Sequence, residues 1–388
     1  MKQIRKRSFP LLTGAVLCGS LLTGFLPFGT LSASALDYGS LKYKDYGDHV
    51  EILSCDKDVT ELVIPEEIDG VPVTEIGNYT FYECKKLSKI SLPDSIRRIG
   101  DSAFWKCTGI TALNLGKNLQ EIGYNAFYGC SGITNIEIPD SVRTLGGSTF
   151  MYCGSLKQIT IGNGIESICS QMFHSCASLE SVEIPDSAVE IGLNAFYQCS
   201  SLKSVTIGNG VKRINLNAFA GCSSLQKVKI GNSVERIENS AFSGTAITMI
   251  NLPESVSYIN NRAFYCEKLA SVTIENPTCD FSSIGTVFRN EQDSHGNDYY
   301  NGVIYGYNGS TAQEYCKAHG CKFISLNDGD MNCDGNVNLV DAVMLARAVT
   351  GFEQPDMTVR GKRHAELDGE EGLSNGDLAV LLRILAEA

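Results

Sequence analysis

The chain has 388 residues, 43% of them apolar and 20% charged, with a formal net charge of −12 and an isoelectric point near 5.0. This length exceeds one ordinary core and predicts two or three domains, and the apolar share excludes a wholly disordered acidic chain. The acidic balance argues against nucleic acid and anionic membrane surfaces as partners, because both need a basic footprint.

Residues 1–35 read as a secretory signal peptide. Lys2, Arg5, Lys6 and Arg7 make a cationic start, and an apolar stretch from Phe9 to Phe28 follows, broken by Gly14, Gly19, Gly24 and Pro27. Ala33-Ser34-Ala35 supplies the small residues a peptidase needs, with cleavage expected after Ala35. A retained membrane anchor is the rival reading; the glycines and the lack of a basic stop-transfer cluster count against it. Cys18 follows Val16-Leu17, not the small residue a lipid-modified signal needs. No other segment is long and apolar enough to span a bilayer. The protein is expected to be secreted.

A strict period dominates the middle. Phe81, Phe104, Phe127, Phe150, Phe173, Phe196, Phe219 and Phe242 are 23 residues apart, and Phe264 follows after 22. Three residues beyond most of them stands Cys84, Cys107, Cys130, Cys153, Cys176, Cys199 or Cys222; Thr245 takes the place once, and Cys266 sits one residue early. A fixed period of this size predicts a solenoid whose units bury their apolar side only against neighbours. In one unit Ile133, Ile136 and Ile138 point inward, Pro139-Asp140-Ser141 turns the chain, Val142 and Leu145 point inward again, Gly146-Gly147 turns, and Phe150 closes the coil. The alternation at Ile136 and Ile138 predicts a short strand, and stacked units a long parallel sheet with about 4.8 Å per repeat. After the strand, Pro93, Gly116, Pro139, Gly162, Pro185 and Gly208 alternate, which suggests duplication of a 46-residue pair.

The pattern L-x-x-[IV]-x-[IL]-P-x-S-[IV]-x-x-I-G-x-x-A-F-x-x-C, followed nearly throughout by Leu179 to Cys199, resembles the BspA-type bacterial surface leucine-rich repeat. The resemblance runs from about Tyr46 to Leu326. It implies a leucine-rich-repeat solenoid of α/β type, with an N-terminal capping region at 36–72, repeats at 73–274 and a C-terminal capping unit at 275–326. In that unit Ser310 and Gln313 make a capping box for a short helix, Thr311 to His319. It further implies a secreted or surface-exposed protein of binding and adhesion, without fixing the ligand.

Three columns invite a chemical reading. The cysteines are open to three: small buried thiols packed in a ladder, disulfides, or metal ligation. Their single register among small polar residues favours the ladder, and the lack of any C-x-x-C pair weakens zinc. Cys316 and Cys321, flanking the end of the cap helix, are the best-placed disulfide pair. The residues after each Phe (Tyr82, Trp105, Tyr128, Met151, His174, Tyr197, Ala220, Ser243, Tyr265) form a row that could bind sugars or proteins, or pack side by side. A third column, Ser91, Asn114, Glu137, Thr160, Glu183, Thr206, Lys229, Asn251 and Thr273, points outward from the sheet. Glu137 and Glu183 fall roughly 10 Å apart by strand spacing, near the carboxylate separation of inverting glycosidases. Two glutamates on a flat sheet have no pocket to raise one pKa, so no enzyme is expected.

Past Leu326 the period ends. Asp330 to Asp341 reads as a twelve-residue calcium loop: Asp330, Asn332 and Asp334 at positions 1, 3 and 5, Gly335 at the sharp turn, the Asn336 carbonyl at 7, Val337 plugged inward at 8 and Asp341 at 12. Ala342 to Val349 continues as an apolar helix. A second, degenerate copy places Glu366, Asp368, Glu370, Gly372 and Asp377 at positions 1, 3, 5, 7 and 12, with Leu373 at 8 and Ser374 at 9, before a helix from Leu378 to Leu385. It carries Glu371 where the sharp turn wants glycine.

Two such loop-helix units at 328–388 resemble a dockerin, a small all-α module. The resemblance implies calcium-dependent docking onto a cohesin domain of a scaffoldin, as in cellulosomes concerned with polysaccharide catabolism. The recognition places hold Leu339, Val340, Ala346 and Arg347 in copy one and Asn375, Gly376, Leu382 and Arg383 in copy two. The expected function is a secreted, non-catalytic protein whose solenoid presents a surface to a protein or polysaccharide and whose tail attaches it to a scaffold. The alternatives are a polysaccharide-degrading enzyme or a carbohydrate-binding module.

Overall fold

A computed structural model of the chain describes residues 35–282, 286–326, 329–331, 337–350, 364–367 and 372–387. The expected signal peptide falls, up to residue 34, outside the described residues.

The repeats stack as rungs in strict register. Asn135–Ile138 pairs in parallel with Gln158–Ile161, and Ser181–Ile184 with Ser204–Ile207, each residue opposite the one 23 positions on. In Asn135–Ile138 and Ser181–Ile184 the alternate branched residues are buried and their neighbours exposed. This follows from the two-residue period of a strand with one face on a core. The long ladder is divided at the rung of Ala112, which keeps a single bridge to Asn135, and again between Gln158–Ile161 and Ser181–Ile184 and between Lys227–Lys229 and Met249–Leu252.

Each rung contributes more than the one strand expected. A second parallel ladder is made of two-residue strands, among them Arg98–Ile99, Glu121–Ile122 and Thr144–Leu145, then Ser167–Ile168 through Asp280–Phe281. A third line of hydrogen bonds joins the turns: Phe81 N–H donates to Ala103 O at 2.7 Å, Phe104 to Ala126 at 2.7 Å and Phe173 to Ala195 at 2.8 Å. The turn segments hold two left-handed residues four positions apart, such as Ser102 and Lys106 or Asn194 and Gln198. Left-handed residues at that spacing break any helix. Among the described residues the repeats therefore contain no helix, and the α/β expectation is corrected to a β-solenoid.

The core is one continuous file. Nine phenylalanines from Phe81 to Phe264, with Phe288 beyond them, are fully buried, and successive rings stack with centroids 4.8–5.7 Å apart. At one end, Leu36–Tyr38 and Leu41–Asp45 form an antiparallel hairpin that leads to Val50–Cys55, itself parallel to Val71–Ile76. At the other end Val303–Gly306 pairs in parallel with Lys322–Ser325, and helix α1 (Thr311–His319) lies between them in sequence. The α1 bounds match the expectation. Ser310 Oγ accepts the Gln313 N–H at 3.3 Å, while the Gln313 side chain reaches back to Gly309 N–H at 2.9 Å, one residue before the cap.

Beyond the solenoid lie α2 (Leu339–Thr350) and α3 (Asn375–Glu387), each longer at both ends than the apolar run predicted. They share a small separate core of Met331, Ala342, Leu345, Ala365 and Leu381. No helix among the described residues is long and apolar enough to cross a membrane.

Candidate functional site

The outward column of the long ladder lies as expected. Ser91, Asn114, Glu137, Thr160, Glu183, Thr206, Lys229 and Asn251 are exposed and Thr273 is half-buried. A second outward column runs beside it at the start of each strand: Lys89, Ala112, Asn135, Gln158, Ser181, Ser204, Lys227, Met249 and Ser271. Met249 is 69% exposed. The depressions on this face are open troughs, one across Lys89 to Thr160 and one around Lys229, Asn251 and Glu275. Glu137 and Glu183 stand on the open sheet two rungs apart, with Thr160 in the same column between them. The face offers hydroxyls, amides and scattered charges that can hydrogen-bond a large partner along its length.

The aromatic row packs on itself. Trp105 and Tyr128 stack at 3.8 Å and 4° between planes, and Tyr82 continues the stack at 6.2 Å. Where Met151 interrupts the row, the neighbouring left-handed Tyr152 steps in, 5.4 Å from Tyr128 and 5.6 Å from His174. Tyr197 follows at 5.0 Å. Sequence reasoning missed Tyr152, because its inclusion depends on backbone handedness and not on column position. From Tyr82 to Tyr128 the rings turn their faces to each other, which uses up sugar-stacking surface there, while Tyr152, His174 and Tyr197 meet edge-on or tilted. Burial lowers the His174 imidazole below its ordinary value, so it is neutral at pH 7, and its Nδ1 lies 2.9 Å from Ser175 Oγ.

The cysteine column has a bonding role. Cys107, Cys130, Cys153, Cys176, Cys199 and Cys222 each donate Sγ–H to the carbonyl of the Phe in the preceding rung, at 2.9–3.2 Å. Cys266 does the same to Phe242 at 3.1 Å. All are buried free thiols. Thr245, which takes the column place once, instead turns its hydroxyl to the Phe242 carbonyl of its own rung at 2.9 Å.

In the C-terminal region the closing carboxylates of the two acidic stretches are held alike. Asp341 is fully buried and accepts Met331 N–H at 2.9 Å through Oδ1 and Asn338 N–H at 2.8 Å through Oδ2. Asp377, equally buried, accepts Leu367 N–H at 2.5 Å and Ser374 N–H at 2.8 Å through the corresponding oxygens. Every partner in the second set lies 36 residues after its counterpart. In both loops the closing carboxylate thus ties position 2 to position 9. Asp330 is buried and Glu366 half-buried. Gly372 has φ of 91°, so the second loop makes its left-handed turn at position 7. Asn332, Asp334, Asn336, Asp368 and Glu370 lie outside the described residues. Among the described residues no three His, Cys, Asp or Glu side chains converge on a metal-sized space. The donors present are carboxylate oxygens, which suit a hard cation and not a soft one.

The expected recognition residues are mostly at the surface. Leu339 is 69% exposed and Val340 55%, with Arg347 exposed and Ala346 half-buried. In copy two Asn375, Leu382 and Arg383 are exposed and Gly376 is half-buried. Val343 and Ile384, which the sequence did not single out, extend the exposed apolar surface of each helix. The buried His364 ring meets Tyr307 of the terminal cap edge-on at 5.9 Å.

A family model of the BspA type leucine rich repeat region matches residues 74–203 and 189–292. A leucine-rich repeat protein of T. pallidum is 31% identical, covering 54% of this chain and 89% of that one at a TM-score of 0.41. A leucine-rich cell surface protein of Faecalibacterium prausnitzii is 22% identical, covering 64% and 90% at 0.39. The pneumococcal vaccine antigen PcpA is 18% identical, covering 76% and 98% at 0.36. Among curated proteins none matches. The family model spans more than half of the chain, and its repeats are the rungs described above: the chain belongs to the BspA-type leucine-rich-repeat family.

Proposed function

We infer that this chain is an exported, non-catalytic binding protein that docks onto a scaffold through its C-terminal loop-helix pair. The open face of the long ladder holds the partner, and a protein suits it better than a glycan, because the exposed sheet columns lack aromatic side chains from Lys89 to Thr273. The C-terminal pair acts as a dockerin. Calcium would be held by Asp330, Asn332, Asp334, Asp341 and the Asn336 carbonyl, with a weaker second set at Glu366, Asp368, Glu370, Gly372 and Asp377. The ion would supply the fixed positive charge that draws each loop closed around its acids. Leu339, Val340, Ala346 and Arg347, or Asn375, Gly376, Leu382 and Arg383, would then face a cohesin.

The observation that carries this reading is the duplicated carboxylate tie, Asp341 to Met331 and Asn338, Asp377 to Leu367 and Ser374. Two closing carboxylates tied alike at the head of two apolar helices support a paired cation-dependent module. The test is binding of the full chain to a panel of cohesin domains in calcium and in EDTA. Binding is expected in calcium, with at least a hundredfold loss in EDTA and in the Asp330→Ala, Asp341→Ala double variant. Retention unchanged by EDTA, or no cohesin bound in calcium, overturns the docking reading.

A further inference from the structure

Cys316 and Cys321, in the C-terminal cap, stand outside the column. Cys316 lies in the last turn of α1 and is buried. Gly320, at φ 70°, ends the helix and returns its N–H to Cys316 O at 2.8 Å. That turn brings Cys321 back over the end of the helix, and the two sulfurs share a hydrogen bond at 2.7 Å. Cys321 is partly exposed. The column thiols from Cys107 to Cys222 bond to a phenylalanine carbonyl one rung away; here a thiol meets a thiol. From Cys321 the chain runs directly into the last strand, Lys322–Ser325.

We propose that Cys316 and Cys321 are a disulfide site, which an organic disulfide oxidises and which staples the cap helix to the last strand. Cys321, the accessible sulfur, attacks the oxidant R–S–S–R as thiolate, forming a mixed disulfide and releasing one R–S⁻. Buried Cys316 then attacks the Cys321 sulfur, and the second R–S⁻ leaves. The two thiol protons end on the departing thiolates, so one R–S–S–R becomes two R–SH as one protein disulfide forms. The hydrogen-bonded Cys316 side chain holds the Cys321 thiol below its ordinary value, whereas burial raises those of the column. A larger thiolate fraction on an accessible sulfur favours attack there.

The bond would act where a solenoid is weakest. Lys322–Ser325 ends the long ladder and has no further rung beyond it among the described residues. Terminal units of repeat proteins lose one of their two neighbours and open first. A staple across Gly320 ties that edge to α1, whose buried Ala312, Tyr315 and Cys316 anchor it to the core.

The test uses the full chain, held natively with oxidised glutathione or with a thiol reductant, then denatured, alkylated with iodoacetamide and digested with trypsin. Cleavage at Lys317 separates the two cysteines in sequence, so only a disulfide can keep their peptides together. In the oxidised sample we expect peptides 290–317 and 318–322 to run as one unlabelled species that separates on reduction, while Cys107, Cys130 and Cys153 are labelled in both samples. Amide exchange across 311–325 is expected to slow on the order of tenfold on oxidation. Labelling of both Cys316 and Cys321 after glutathione treatment, a persistent glutathione adduct on Cys321, or either sulfur bridged to another cysteine overturns the proposal.

Discussion

Cys176 shows how one side chain takes part in two rungs. Its own rung holds it through its backbone N–H to Phe173 O at 3.1 Å, and its thiol reaches Phe150 O in the rung before at 3.1 Å. Cys176→Ala should cost about 1–2 kcal/mol, because a buried carbonyl loses a donor, and Cys176→Ser less than half of that. Urea unfolding of the two variants checks the order; equal losses would remove the hydrogen bond from the account. The column also makes stability depend on pH. Burial raises Cys107 and Cys153 from the ordinary thiol value of 9.0 to about 12, and Cys266 to about 11. The folded chain therefore keeps protons that the unfolded chain releases first. The stability contributed by each thiol is whole below pH 9 and is lost as pH climbs through the folded values, at about 1.4 kcal/mol per pH unit. Thermal melts between pH 8 and 11 should fall steeply, and a Cys107→Ser, Cys153→Ser variant should fall less.

At the scale of elements, the alternation of Pro and Gly after the strand has a packing cause. A Cβ on Gly162 would lie 2.6 Å from the Pro139 carbonyl carbon, and one on Gly208 equally close to that of Pro185. The acids beside those prolines hold the next rung: Asp140 accepts Asn163 N–H at 2.7 Å and Asp186 accepts Asn209 N–H at 2.6 Å. The 46-residue pairing visible in the sequence is thus a two-rung contact, in which a Pro-Asp turn seats the glycine of the following turn. Gly162→Ala should destabilise by about 1–3 kcal/mol through overpacking against backbone that cannot yield cheaply. A denaturant midpoint within error of the parent would show that the turn adapts. The inward columns were legible because each repeats one side chain at one register. The second strand was not, since two residues carry no period of their own, and only hydrogen bonding to the adjacent rung makes them a ladder.

Taken whole, the molecule has two cores among its described residues, the long file under the rungs and the small cluster between α2 and α3. Because they are separate, chelation should act on one alone. In EDTA the low-temperature part of the thermal melt and its helical circular dichroism should weaken, while the β-rich transition stays within about 2 °C. A joint downward shift would mean that the two cores melt as one. The linear order of residues settled what repeats: the 23-residue period, the inward columns, the cap helix and the paired acidic loops, each written as similar residues at constant spacing. It left open whatever depends on a neighbour one rung away: the acceptor of each thiol, the entry of Tyr152 into the aromatic row, and the need for glycine against Pro139 and Pro185. Those contacts join residues by depth and handedness, which a one-dimensional pattern does not encode.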